Sequence, residues 1–142
     1  MALERTLFIV KPDAVERNKI GAVLAHVEAD GFRLKEARLA RLKREEAQGF
    51  YAEHRERPFF GDLVAYMTSG PVMLCCLERD DAVKRLREVV GATDPAQAAP
   101  GTVRALFGES KQRNSVHASD SLASAEREIA FFFGVAALNP AF

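Results

Sequence analysis

The chain has 142 residues, 48% hydrophobic and 28% charged, which suits one globular domain over residues 1–142 with a real core. Lys plus Arg number 20 and Asp plus Glu number 20, so no general basic field exists to hold nucleic acid by counterion release, and no dedicated nucleic-acid binding is expected. The longest mostly apolar stretch, Ile129 to Leu138, follows Glu126-Arg127-Glu128 and falls well short of the roughly 20 residues needed to cross a bilayer, so no membrane partner is expected.

Met1-Ala2-Leu3-Glu4-Arg5 sets an acid and a base before a short apolar run, which is not the form of a secretory signal. Cys75 and Cys76 are adjacent, too close to brace a fold by an ordinary disulfide, and they read as reduced core thiols. None of Asn18, Asn114 and Asn139 opens a glycosylation acceptor. The expected location is cytoplasmic.

Thr6 to Val10 is an apolar run closed by Lys11-Pro12-Asp13. It predicts a first strand ending in a turn that presents Lys11. Ile20, Val23, Leu24 and Val27 follow helical spacing, and Asp30-Gly31 stops the helix. Phe32 and Leu34 alternate with Arg33 and Lys35, predicting a second strand with one wet face that runs on towards Leu42. A helix from about Arg44 carries Ala47, Phe50 and Tyr51 and is interrupted at Pro58. A second follows from Phe59 to Ser69, making a helical hairpin closed by Gly70-Pro71.

Val72 to Leu77 is continuously apolar and reads as a buried strand. Asp80 is the expected N-cap of a helix through Val83, Leu86, Val89 and Val90 that ends at Gly91. An ordered loop with Pro95 and Pro100 leads to a short helix, Val103 to Phe107. A brief strand at Val116-His117 and a last helix from Ser121 to Phe133 follow. The tail after Gly134 is expected to drape over a surface. No repeat or low-complexity block interrupts this order. The succession β-α-β-α-α-β-α-β-α predicts an α/β (α+β) sandwich with helices on one face of the sheet, best matched by a ferredoxin-like βαββαβ core with a four-stranded antiparallel sheet and additional helices.

The glycine-rich phosphate-binding signatures are absent, since none of the nine glycines precedes Lys and no two are separated by one residue. That excludes the Walker A loop, the dinucleotide fingerprint and the protein-kinase glycine loop. His26, His54 and His117 are scattered, so no protein metal cage is expected. His26 lies within an amphipathic helix and His54 within the charged run Glu53 to Arg57, where solvation is the simpler reading. His117 differs, because Ala118 and Ser119 leave space beside the imidazole and a helix starts just beyond. A hydrolase triad of His117, Ser119 and Asp120 is disfavoured by adjacency along one segment and by the lack of a GxSxG elbow. The alternative makes His117 the nucleophile, with Glu128 as a candidate orienter of its second nitrogen.

The segment Asn114-Ser115-Val116-His117-Ala118-Ser119-Asp120 resembles the Asn-x-x-His-Gly/Ala-Ser-Asp signature of the nucleoside diphosphate kinases. The likeness extends along the chain. It takes in Glu4-Arg5-Thr6 through Lys11-Pro12-Asp13, Arg57-Pro58-Phe59-Phe60, Gly91-Ala92-Thr93-Asp94-Pro95 and Pro100-Gly101-Thr102-Val103-Arg104. The resemblance implies transfer of the terminal phosphate of a nucleoside triphosphate, chiefly ATP, to a nucleoside or deoxynucleoside diphosphate, by a ping-pong route through a phosphohistidine. Such an activity supports GTP, CTP and UTP synthesis, with Mg2+ carried on the nucleotide.

By that resemblance His117 is the nucleophile, and Glu128 with Ser119 holds its other nitrogen. Lys11 and Tyr51 approach the transferred phosphate, and Arg87, Thr93 and Arg104 hold the remaining phosphates. Phe59 stacks on the base, while Asn114 and Lys11 meet the sugar hydroxyl. Lys111 departs from the pattern, standing where the family generally has an apolar residue on the other side of the base. Its stem can still cover a ring while its ammonium reaches water, so activity is expected to persist with an altered base preference.

Taken singly, each residue has a plainer reading: Lys11 as a solvated strand end, Arg87 and Arg104 as helix-surface charges, Phe59 as core, Glu128 as one charge on a wet helix face. Two other functional classes are weighed against the kinase. A nucleotide-responsive interaction protein would not need Lys11, Tyr51, Arg104, Asn114 and His117 together, and a phosphohistidine carrier would leave Phe59 and Thr93 without purpose. Phe131, Phe132 and Phe133 in succession cannot share one helix face, because neighbours diverge by about 100°. Some of this aromatic surface is therefore expected to be covered by other parts of the protomer or by a second subunit. The resemblance, with the short tail after the final helix, implies a homo-oligomer built on a dimer, tetramer first and hexamer second.

Overall fold

A computed structural model describes residues 3–138. Four strands, β1 (Leu3–Val10), β2 (Arg33–Ala40), β3 (Val72–Asp80) and β4 (Val116–Ala118), form one sheet in the order β2-β3-β1-β4. Every neighbouring pair is antiparallel, the arrangement of a ferredoxin-like core. The helices are α1 (Pro12–Glu16), α2 (Ile20–Ala29), α3 (Arg44–Phe50), α4 (Phe60–Met67), α5 (Ala82–Val90), α6 (Val103–Phe107) and α7 (Leu122–Phe133), with short 3-10 turns at Ala52–His54, Pro95–Gln97 and Val135–Leu138.

Helices cover both faces of this sheet, not one as the element order suggests. Phe8 and Val10 of β1 and Cys75 and Leu77 of β3 pack with Val23 and Val27 of α2 and Leu86 of α5. The alternate residues Leu7, Ile9, Leu74 and Cys76 pack with Phe50 of α3, Met67 of α4 and Ile129 and Phe132 of α7. A strand's side chains alternate between faces, so an unbroken apolar run such as Leu7 to Val10 needs cover on both. Each fully buried Leu or Phe in these layers contributes about 1.5–3 kcal/mol.

Several boundaries differ from the sequence reading for identifiable reasons. Lys11-Pro12-Asp13 opens a helix rather than a turn, since Pro12 stands in its first turn and Asp13 places an acid there, both favourable at a helix start. Asp80 ends β3. The N-cap is Asp81, at φ +51 and with no side-chain cap of its own, and Glu4 Oε1 instead accepts the Val83 N–H at 3.2 Å. Strand β2, at the sheet edge, is exposed along most of its length, wetter than a strand with one buried face. The chain after Gly134 is anchored as far as Leu138, with Ala137 buried and its carbonyl accepting from Arg5 at 2.8 Å. The remaining tail, Asn139 to Phe142, lies outside the described residues. Of the three consecutive phenylalanines, Phe132 is buried and Phe131 is 46% exposed.

Candidate active site

Strand β4 is only three residues long, yet it is held from both sides. Ile9 of β1 stands opposite His117, Lys11 N–H donates to Ser115 O at 2.8 Å, and Ser119 N–H donates to Leu7 O at 3.3 Å. Arg104 adds a side-chain donor to Val116 O at 2.9 Å. Val116 and Ala118 bury on the α2/α5 face, so alternation turns His117 to the other face. There its ring meets the edge of Phe50 at 5.2 Å between centroids.

Helix α7 brings Glu128 to this imidazole. His117 Nε2 lies 2.9 Å from Glu128 Oε1, and a carboxylate can only accept, so Nε2 carries the hydrogen and the neutral ring keeps its lone pair on Nδ1. Ser119 Oγ donates to the same Oε1 at 2.7 Å and accepts the Leu7 N–H at 3.3 Å. The serine thus anchors the carboxylate to β1, its hydroxyl bonded to Glu128 rather than to the imidazole, an arrangement unlike a hydrolase triad.

Three cations from distant segments converge on this end of the sheet. Lys11 Nζ donates to Asn114 Oδ1 at 2.9 Å, and Asn114 Nδ2 donates to Thr93 O at 3.0 Å. Burial first, and Arg104 second, bring the Lys11 ammonium down to about 8, while Asp13 acts in the opposite sense. Arg104 donates to Gly91 O at 3.2 Å. Burial and the neighbouring Arg87 lower its guanidinium to about 10. The buried Arg104 Nε has no hydrogen-bond partner among the described residues. Two cations held close together, one with an unmet buried donor, form a site that an anion would stabilise.

A cleft of about 120 Å³ is lined by Tyr51, Arg87, Thr93, Arg104, His117 and Glu128, together with Phe50, Glu53, His54, Ala118 and Asp120. Burial, with the Glu128 charge adding to it, pushes the Tyr51 phenol up, so it remains a hydroxyl. The Ser124 hydrogen bond, and then the Arg87 charge, hold Asp120 below the usual carboxylate range. Phe59, 46% exposed at the start of α4, lies 5.8 Å from the His54 ring.

The sequence profile of the nucleoside diphosphate kinases matches residues 4–138. The chain belongs to the nucleoside diphosphate kinase family. Among solved structures, the Aquifex aeolicus nucleoside diphosphate kinase is 48% identical with a TM-score of 0.93, over 97% of this chain and 100% of that one. The Halobacterium salinarum enzyme, solved in complex with CDP, is 41% identical with a TM-score of 0.91, over 97% and 92%. The Encephalitozoon cuniculi enzyme is 34% identical with a TM-score of 0.91, over 96% and 92%.

The structure places Tyr51, Arg87, Thr93, Arg104, His117 and Glu128 on one cleft. Lys11 and Asn114 join it through Thr93. Ser119 stands behind Glu128, and Phe59 lies at the rim beside His54. Phe50 and His54 also line the cleft, and no sequence signal marks either as a site residue. Phe50 is one apolar position of a helical pattern, and only the orientation of α3 sets it on the imidazole. His54 sits in a charged run that reads as solvated, and the 3-10 turn after Tyr51 is what brings it to the cleft.

Among the described residues, no group of three or more His, Cys, Asp or Glu side chains is placed to hold a metal ion. No helix there is long and apolar enough to cross a membrane. Cys75 and Cys76 are buried and free, with thiols pushed up by burial to about 12 and about 11.

Proposed function

We propose that this kinase moves the terminal phosphate of a nucleoside triphosphate, chiefly ATP, to a nucleoside or deoxynucleoside diphosphate in two half-reactions through a phosphohistidine at His117. The observation that carries the reading is the His117 imidazole, fixed through Nε2 by Glu128 at 2.9 Å in a cleft lined by Arg87 and Arg104. Nδ1 attacks the γ-phosphorus, the N–P bond forms as the bond to the bridging oxygen breaks, and that electron pair leaves on the nucleoside diphosphate. A second diphosphate then takes the phosphoryl group back by the reverse chemistry.

Little covalent assistance is needed for such a transfer, since positioning and charge neutralisation dominate. Glu128 stabilises the positive charge that develops on the ring, and Ser119 keeps that carboxylate still. Lys11 and the Tyr51 hydroxyl approach the transferred group. Arg87, Thr93 and Arg104 hold the other phosphates, Asn114 and Lys11 meet the sugar hydroxyl, and Phe59 offers one ring face to any base. Lys111 is assigned to the opposite side of the base, where its charge would alter base preference. The substrate is the Mg2+ complex of the nucleotide, whose own phosphate oxygens supply most of the metal ligands.

GTP, CTP and UTP synthesis in the cytoplasm is the role this chemistry serves. We infer assembly as a dimer-based homo-oligomer, tetramer before hexamer; the exposed Phe131, and Leu34 and Leu39 on the edge strand β2, which are 40% and 57% exposed, support an interface with another chain. The activity is tested by a coupled assay of GDP phosphorylation by ATP. The wild-type chain is expected to turn over and His117→Ala to fall to background. Equal rates would overturn the assignment.

A further inference from the structure

Asp13 is a carboxylate with no solvent exposure, and none of the roles above uses it. Its surroundings are specific. Oδ2 accepts the Ser115 N–H at 3.1 Å, and Oδ1 accepts a short hydrogen bond from the Tyr66 hydroxyl. That same hydroxyl oxygen accepts the Asp13 N–H at 3.2 Å. Arg17 approaches Oδ2 at 3.5 Å and donates through Nε to the Asp13 carbonyl at 3.1 Å.

The residue it grips is unusual. Ser115 has φ +71, a left-handed conformation that costs a non-glycine residue free energy and persists only where its surroundings impose it. Both of its backbone groups are claimed by one short segment, the N–H by the Asp13 carboxylate and the C=O by the Lys11 N–H at 2.8 Å. Asn114 precedes this turn and carries the Lys11 ammonium on its Oδ1. Val116 follows and begins the strand that bears His117. We propose that Asp13 is a positioning residue of the phosphate-transfer site: its buried carboxylate, braced by Tyr66, fixes the left-handed turn through which Asn114 meets Lys11 and from which the His117 strand departs.

The charge reaches the site as well as the hydrogen bonds. Arg104 and Asp13 are the charged groups acting on Lys11, and they oppose each other, with Asp13 supporting the protonated form. Removing the Asp13 charge therefore leaves burial and Arg104 unopposed, and Lys11 loses its proton at lower pH. That shift reports the Asp13 charge, whereas positioning is read from kcat/KM per folded chain below the alkaline limb, which a residue that only stapled α1 to the core would leave unchanged.

The test rests on the kinase reading and separates the two. ATP-to-GDP transfer is measured from neutral to alkaline pH, with melting temperature, for the full-length wild type, Asp13→Asn and Tyr66→Phe. Asp13→Asn is expected to lower kcat/KM by about 10- to 100-fold, the cost of a small misplacement of reacting groups, and to move the alkaline limb of kcat/KM to lower pH. Tyr66→Phe keeps the charge, so its limb should stay in place while kcat/KM falls several-fold. If Asp13→Asn does not fold, Tyr66→Phe decides, since wild-type kcat/KM in that variant overturns the proposal. Variants that melt earlier but keep wild-type kcat/KM per folded chain below the alkaline limb make Asp13 a scaffold residue only and overturn it. Absence of transfer by the wild-type chain overturns the kinase reading and the proposal with it.

Discussion

Folding takes the Lys11 ammonium out of water and sets it near Arg104, and its pKa falls from 10.5 to about 8. Below about pH 8 both the folded and unfolded states hold that proton, so the penalty for burying the cation is fully present. Between about 8 and 10.5 the unfolded chain keeps the proton that the folded chain has released, and stability rises with pH through that window. The size is on the order of 3 kcal/mol, partly offset by the bond to Asn114. Lys11→Met should therefore stabilise the apo-protein by about 1–2 kcal/mol at neutral pH, read as a higher melting temperature, while nucleotide phosphorylation falls sharply. A lower melting temperature would contradict this cost. Residue identities at the site were legible because His117, Asn114 and Asp120 stand together in one short segment. What could not be read was which atom meets which: Ser119 bonding the carboxylate rather than the ring, or Phe50 lying against the imidazole, depends on side-chain directions set by α3 and α7.

Elements position these residues through their ends. Helix α5 stops at Gly91, whose φ +89 and ψ −178 lie in a region open essentially to glycine. A Cβ there would sit 2.6 Å from Thr102 Oγ1, and the Gly91 carbonyl receives Arg104 at 3.2 Å. Gly91→Ala is expected to cost about 1–3 kcal/mol in stability and to displace Arg104. KM for nucleotide should then rise more than kcat falls. Unchanged melting temperature and KM would contradict the packing argument. The elements themselves were largely readable, since the periodicity of α2, α5 and α7 and the apolar run of β3 correspond to real segments. Two were not. Helix α1 is one turn long and begins inside a motif that resembles a strand-ending turn, and the covering of both sheet faces depends on where α3, α4 and α7 dock, which spacing along the chain does not encode.

The whole molecule carries no net charge, so in the proposed reaction a polyanion is drawn by Lys11, Arg87 and Arg104 acting at short range rather than by a global field. Its surface also leaves Phe131, Leu39 and Val135 exposed, at 46%, 57% and 74%, and an edge strand with unpaired backbone groups invites pairing with another chain. Light scattering at micromolar protein is expected to give about four protomers. A mass near 15.7 kDa would contradict assembly outright, and six protomers would contradict only the tetramer. The central claim concerns a covalent bond and is tested most directly by incubating the intact protein with γ-labelled ATP and Mg2+ in the absence of acceptor. The expected result is acid-labile, base-stable phosphate on His117 that is discharged when GDP is added. Label that survives acid, or that persists in His117→Ala, would contradict it.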